Sequence, residues 1–254
     1  MACRPSPLPL PPPTPTDPAA TLRIGLTSSA AGLADLVSDP YAQQSGRASL
    51  QFVVGNATTL LHDLDDGQLD AVLVHYLPPG DPHWFSPVAL DGLVIVVHPD
   101  NPVSGLTRPQ AQAIFSGRIT NWAAVGGPDR PIIIVGREKE AGARAIFTER
   151  ILAGQPLAVT ALVQAGQPAV LEAVAHDPAA VGYAMMGSAA GVKAVAVDGI
   201  EATPATTASQ TYPLTVPLYF AAPAEPQGEL RAFLAWLQSD EGQAILGVNF
   251  GRVR

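Results

Sequence analysis

Apolar residues along the chain fall into short runs, separated by polar turns and by stretches of helical spacing. Leu22 to Thr27 (LRIGLT), Ser49 to Gly55 (SLQFVVG) and Ala71 to Tyr76 (AVLVHY) have the length and β-branched content of strands. Between them, Ser28 and Ser29 precede Leu33, Leu36 and Val37 at helical spacing, and Asn56 to Asp66 sets Leu60, Leu61 and Leu64 on one helix face. Pro78 to Pro87 reads as an irregular loop, and Gly92 to His98 (GLVIVVH) as a buried strand. Thr107-x-x-Gln110 fits a capping box, with Pro109 tolerated in the first turn of the helix it opens. Ser116 to Asp129 is turn-rich, Pro168 to Ala175 is helical, and Val181 to Met185 and Lys193 to Asp198 are short strands. Strands alternating with helices predict a parallel α/β architecture.

The segment from Pro131 to Leu152 (PIIIVGREKEAGARAIFTERIL) holds the most suggestive chemistry. A β-branched run, Ile132 to Val135, meets Gly136 and a charged turn, and a helical pattern follows through Ala145, Ile146, Phe147, Ile151 and Leu152. The first NH groups of a helix lack partners within it and carry partial positive charge, so such a junction suits a small anion. Arg137 and Arg144 flank the turn with planar donors. The opposite reading is a solvated face on which Glu138 and Glu140 pair with Arg137 and Arg144.

Composition narrows the function classes. The chain has 254 residues, 47% hydrophobic and 14% charged, enough for one large domain or two lobes. A net charge of -8 argues against a long nucleic acid as partner, which needs clustered Lys and Arg. No apolar run approaches the roughly 20 residues of a membrane span. Neither a Gly-x-Ser-x-Gly elbow nor a phosphate-cradling Gly-x-x-x-x-Gly-Lys motif is present, and His62, His75, His83, His98 and His176 show no zinc spacing. The expectation is therefore no enzyme, no cofactor and no metal. Asn56-Ala57-Thr58 fits a glycosylation sequon by chance. Trp84 and Phe85 could touch a larger ligand, although such aromatics more often pack under loops.

The stretch NPVSGLTRPQAQAIFSGRITNWAAVGGPDRPIIIVGRE, Asn101 to Glu138, resembles the phosphate-type solute-binding proteins of bacterial ABC importers. That family has Asn-Pro, Leu-Thr, Ile-Phe-Ser-Gly-Lys-Ile-Thr-Asn-Trp and then an Arg ahead of Gly-Ser-Gly-Thr-Arg. Here the last motif stands as Glu140-Ala141-Gly142-Ala143-Arg144. Further on, Tyr212 to Pro223 resembles the family's return strand into the first lobe. The amphipathic Leu230 to Leu237 follows, and Ser239 to Leu246 resembles its closing helix. The resemblance covers about Leu22 to Arg254.

The resemblance implies an α/β, two-lobed, periplasmic-binding-protein-like (type II) fold with its ligand cleft between the lobes. Lobe 1 would comprise 21–92 plus 213–254 and lobe 2 would comprise 93–212. The chain would cross between them near Gly92–His98 and Tyr212–Phe220. Residues 1–20 would form a Pro-rich, disordered tether, with Cys3 as the lipidation site of a membrane-anchored protein or, alternatively, an incidental cysteine.

The implied ligand-binding residues are Ser28, Ser29, Thr58, His75, Arg137, Gly142 and Arg144. Ser28 and Ser29 would offer hydroxyls, or serve only as helix caps. An ungapped count from Asp70 puts Ala57 at the family's serine position, leaving Thr58 or Thr59 to supply the hydroxyl. The same count puts His75 where the family has an aspartate. There it would donate to the anion or be a satisfied core histidine. Ala141 and Ala143 replace hydroxyl residues, which implies weakened phosphate binding. The implied function is capture of a small anion for an ABC permease, by a monomer outside the cytoplasmic membrane. The alternative is a diverged sensor or adhesion module that binds another ligand or a protein.

Overall fold

The computed structural model describes residues 21–45 and 48–253; Cys3 and the tether over residues 1–20 lie outside the described residues. The chain begins β1 (Thr21–Thr27), α1 (Gly32–Ser45), β2 (Ser49–Gly55), α2 (Ala57–Asp65), β3 (Ala71–Val74), which is the alternation that the apolar pattern predicts. β1 pairs in parallel with β2 on one side and β3 on the other, so Ile24 and Leu26 are fully buried at the centre. Asn56 caps α2, its side chain accepting from Thr59 N at 2.9 Å. β3 ends at Val74, two residues short of the predicted Tyr76, which frees His75 and Tyr76 from the ladder.

β4 (Trp84–Val97) is the element on which the architecture turns. It starts eight residues before the predicted strand, so Trp84 to Pro87 are strand rather than loop. Pro87 is tolerated because the pairing with β10 (Thr215–Ala222) shifts register there: Leu218 faces Ala89 but Tyr219 faces Pro87, leaving Val88 unmatched. From Trp84 to Gly92 the partner is β10; from Leu93 to Val97 it is β8 (Ala180–Met185). One strand thus belongs to both lobes, and the hydrogen-bonded ladder runs unbroken between them as β2-β1-β3-β10-β4-β8, then β6 (Ile133–Arg137) and β7 (Leu162–Gln164). β9 (Lys193–Val197) lies on the other edge of β4 and pairs with β5 (Gly105–Leu106).

Separate cores flank that crossing. Leu22, Ile24, Leu33, Phe220, Phe233 and Phe250 belong to one, and Val94, Phe115, Trp122, Phe147, Val181 and Tyr183 to another. In the second, α3 (Arg108–Phe115) starts at Thr107 with both halves of the capping box formed. A 3-10 turn, Trp122–Val125, sits inside the predicted turn-rich stretch and buries Trp122, whose Nε1 donates to Ala179 O at 2.9 Å. The central helix is shorter than its apolar spacing suggests. α4 (Gly142–Phe147) gives way to a π turn, Thr148–Leu152, which ends on Ala153 in a left-handed conformation. The wider turn still lets Ile151 and Leu152 point inward. α5 (Gln167–His176) precedes β8, α6 (Pro204–Ala208) precedes β10, and α7 (Gly228–Leu237) and α8 (Asp240–Leu246) close the chain, with Ser239 capping α8.

Candidate functional site

Arg137 is the last residue of β6 and is 4% exposed, an unusual burial for a guanidinium. The strand beneath it is fixed by an aromatic stack. Phe147 and Tyr183 lie face to face at 3.9 Å, and Phe115 packs edge-on against both. Arg137 N donates to the Tyr183 hydroxyl at 3.1 Å. Burial pushes the Tyr183 phenol up, and the Arg137 NH together with the Arg144 and Arg137 charges only partly offsets it, so the group stays protonated.

The Arg137 side chain reaches two partners. Nε and Nη2 donate to the two carboxylate oxygens of Glu138, each at 2.9 Å, in a forked pair. Nη2 also donates to Ser28 Oγ at 3.3 Å. Burial raises the Glu138 pKa, but the Arg137 hydrogen bonds and charge, with the backbone NH groups of Glu138 and Gly166, bring it below the ordinary carboxylate value. Ser28 Oγ accepts a second bond from Gln167 N at 3.2 Å, and Gly166 N donates to Glu138 Oε2 at 3.2 Å. These two NH groups open α5, where unpaired donors and the dipole favour negative charge. Ser28 from the β1–α1 turn therefore meets Arg137 and the α5 N-terminus from the opposite side of the cleft.

A second approach closes the cleft beside it. Gly142 opens α4, and a Cβ built there would lie 3.1 Å from Tyr76 Cβ. Any larger residue would push Tyr76 and α4 apart. Ala141 stands at the α4 N-cap and offers no side-chain hydrogen bond. Beyond Ser28 and Gln167 a groove of about 690 Å³ runs between α1 and α5.

The other expected ligand residues have different surroundings. Ser29 is buried and shares a 3.3 Å hydrogen bond with Thr27, and α1 starts only at Gly32. Thr58 is exposed on the first turn of α2. Arg144 Nε donates to Thr148 Oγ1 at 3.3 Å, and its guanidinium also hydrogen-bonds the Tyr183 hydroxyl that receives Arg137 N, so Arg144 lies beside the strand end that carries Arg137. Glu140 is exposed, and Arg137 pairs with Glu138 on the same turn.

His75 is buried, and its Nε2 lies 2.9 Å from Asp91 Oδ2. An ionised carboxylate has no hydrogen to give, so the ring nitrogen donates. Asp91 is fully buried where β4 changes partners, and its Oδ1 accepts from Gly92 N at 2.7 Å and Gly187 N at 2.9 Å. One carboxylate thus ties the end of β3 to the turn after β8. Nδ1 of His75 is buried without a partner among the described residues. His83 bridges Asp81 at 2.7 Å and Asp65 at 3.1 Å, so His75 and His83 serve different carboxylates. Among the described residues no group of His, Cys, Asp and Glu is arranged to hold a metal ion, and no helix is long and apolar enough to cross a membrane.

Sequence reasoning passed over Asp91, Gly166 and Gln167. Signals for them existed: a lone Asp in the apolar run VALDGLVIVV, and Gly-Gln-Pro at the start of a helical pattern.

Known proteins resemble the chain as a whole. The PBP superfamily domain matches residues 12–241. The phosphate-binding protein PstS of Bacillus subtilis (strain 168) is 28% identical over 168 residues, covering 65% of this chain and 56% of that one. The chain thus spans little more than half the length of that curated relative. A protein of Clostridium perfringens, described as a phosphate ABC transporter substrate-binding protein and solved with bound phosphate, is 25% identical with a TM-score of 0.86, covering 92% of this chain and 100% of that one. An ABC-type phosphate transport receptor from Vibrio cholerae is 30% identical with a TM-score of 0.71, covering 92% of this chain and 99% of that one.

Proposed function

The chain belongs to the PBP superfamily, in its phosphate-type group, and from that premise we propose that it captures a small oxyanion, phosphate first, and delivers it to the permease of an ABC importer. The observation that carries the reading is the meeting of Ser28 with the buried Arg137 and the Gln167 NH across the cleft. Nothing in that arrangement is a nucleophile–base pair, and the role is binding rather than catalysis. Action outside the cytoplasmic membrane, as a monomer held by a lipid at Cys3, belongs to the same proposal. So does the lobe division 21–92 with 213–254, and 93–212. The change of β4 partners after Gly92 and the separate cores support that division.

Binding is tested by a thermal-shift screen of phosphate, sulfate, molybdate, tungstate, phosphonates and small carboxylates. A ligand at a hundred times its Kd stabilises by about 2.7 kcal/mol. At this chain length that raises Tm by about 5–10 °C. The expected result is a shift of that size with phosphate, accompanied by a smaller radius of gyration if the lobes close further on the ligand. A screen in which no oxyanion moves Tm sinks the proposal. It would favour the second reading, a diverged sensor or adhesion module. One observation speaks for that reading: Ala57, Ala141 and Ala143, set by the sequence resemblance at hydroxyl positions, are all buried and offer none.

A further inference from the structure

The cleft continues past Ser28 and Gln167 into the groove of about 690 Å³. That volume is the size of sites for organic molecules, and one tetrahedral oxyanion fills only part of it. Its walls are largely apolar. Leu36 of α1 lines one side, and Leu171 of α5 with Met186 and Ala189 after β8 lines the other. Among the described residues that line it, Asp35 alone carries charge. Asp35 stands on the first turn of α1, exposed, and makes no hydrogen bond or ion pair with the described residues. Ser188 lines the groove as well. Its Oγ is buried and unpartnered among the described residues, a hydroxyl left to bond a group inside. Charge thus changes sign along the cleft, from the donors at Arg137, Ser28 and Gln167 to the carboxylate of Asp35.

From this arrangement we infer that the ligand is an organic phosphoryl compound: a phosphonate or phosphate monoester with its phosphoryl head on Ser28, Arg137 and the Gln167 NH, and a short alkylammonium arm along the groove against Asp35. The inference rests on the reading of this cleft as an anion site and deepens it. Donors remain for the head. Ser28 Oγ accepts from Arg137 Nη2 and Gln167 N, so its own hydrogen is left to donate, and Arg137 Nη1 has no partner among the described residues. The arm gains in two ways. Its methylenes leave water for Leu36, Leu171 and Met186, and its ammonium meets the carboxylate on the wall. An arm ending in a second anion would be repelled there.

The test is calorimetric titration into the wild type, Asp35→Asn and Asp35→Lys. The probes are inorganic phosphate, the methyl- to butylphosphonate series, and 2-aminoethyl- and 3-aminopropylphosphonate, whose arms match propyl and butyl in length. In the wild type each added methylene should tighten the alkylphosphonates by about threefold. Asp35→Asn should weaken the two ammonium compounds by about three- to fivefold, the size of an exposed ion pair. The same substitution should leave phosphate and the alkylphosphonates unchanged or slightly tighter, because Asp35 repels their heads. Asp35→Lys inverts the charge and should enlarge both effects. Phosphate binding without any gain from a longer alkyl arm overturns the inference alone, and so does an ammonium arm that neither Asp35 variant weakens. If no probe binds the wild type, phosphate included, the anion reading falls and the inference with it.

Discussion

Arg137→Ala is expected to weaken phosphate binding about a hundredfold. Each hydrogen bond from a charged donor contributes about 1.5–3 kcal/mol, and each 1.4 kcal/mol is a factor of ten in Kd. Two such bonds sum to more than a hundredfold. The same substitution leaves the Glu138 carboxylate without its cation beside the cleft, and its repulsion adds to the loss. Arg137→Lys separates charge from geometry. It keeps the cation but not the fork, and should recover only part of the affinity. Calorimetry at neutral pH checks both. A Kd for Arg137→Ala within about threefold of the wild type would show that the anion binds elsewhere, because no bond to a charged group is that weak.

Asp91→Ala is expected to act on stability and on lobe orientation rather than on the ligand directly. Asp91 has no exposed surface, and its two oxygens serve His75 Nε2 at 2.9 Å, Gly92 N at 2.7 Å and Gly187 N at 2.9 Å. Removing it leaves a buried imidazole and two backbone NH groups without acceptors. Each buried donor left unsatisfied costs about 1–3 kcal/mol, so three of them cost on the order of 3 kcal/mol or more. For a chain of this size that lowers Tm by roughly 10 °C. Because the bonds join the end of β3 to the turn after β8, the variant should also show a wider distribution of lobe orientations in solution scattering. His75→Ala, which leaves Asp91 its two NH donors, should cost less. A melting temperature for Asp91→Ala within about 2 °C of the wild type would mean that the site relaxes at less than about 1 kcal/mol and is no staple.

How far the sequence could be read depended on the range of each interaction. The βα alternation of β1 to β3 and the Thr107 capping box follow from local rules, and both appear in the structure. The entry into β4 was missed because Pro78 to Pro87 carries turn residues. Its strand character comes from the partner β10 and from a register shift at Val88, neither of which is local. The π turn after α4 was invisible for a similar reason: Ile151 and Leu152 satisfy helical spacing closely enough that only packing selects the wider turn.

At the site, Arg137 and Ser28 were legible because a strand end and a helix-preceding serine are positions that point into a cleft. Their mutual bond was not, since the two are 109 residues apart. His75 lay at a strand end as expected, yet its ring is turned onto Asp91, a partner set by how β10 and β4 stack beside β3. Glu138 was seen as a possible partner of Arg137. Nothing in the linear order says that its carboxylate also takes the Gly166 NH.

The proposed function requires that an oxyanion bind between the lobes on Arg137 and Ser28. A crystal structure at saturating phosphate tests it most directly. One phosphate is expected between the lobes, with oxygens within hydrogen-bond distance of the Arg137 guanidinium and Ser28 Oγ. Phosphate found only at other surfaces, with none on Arg137 and Ser28, would contradict it.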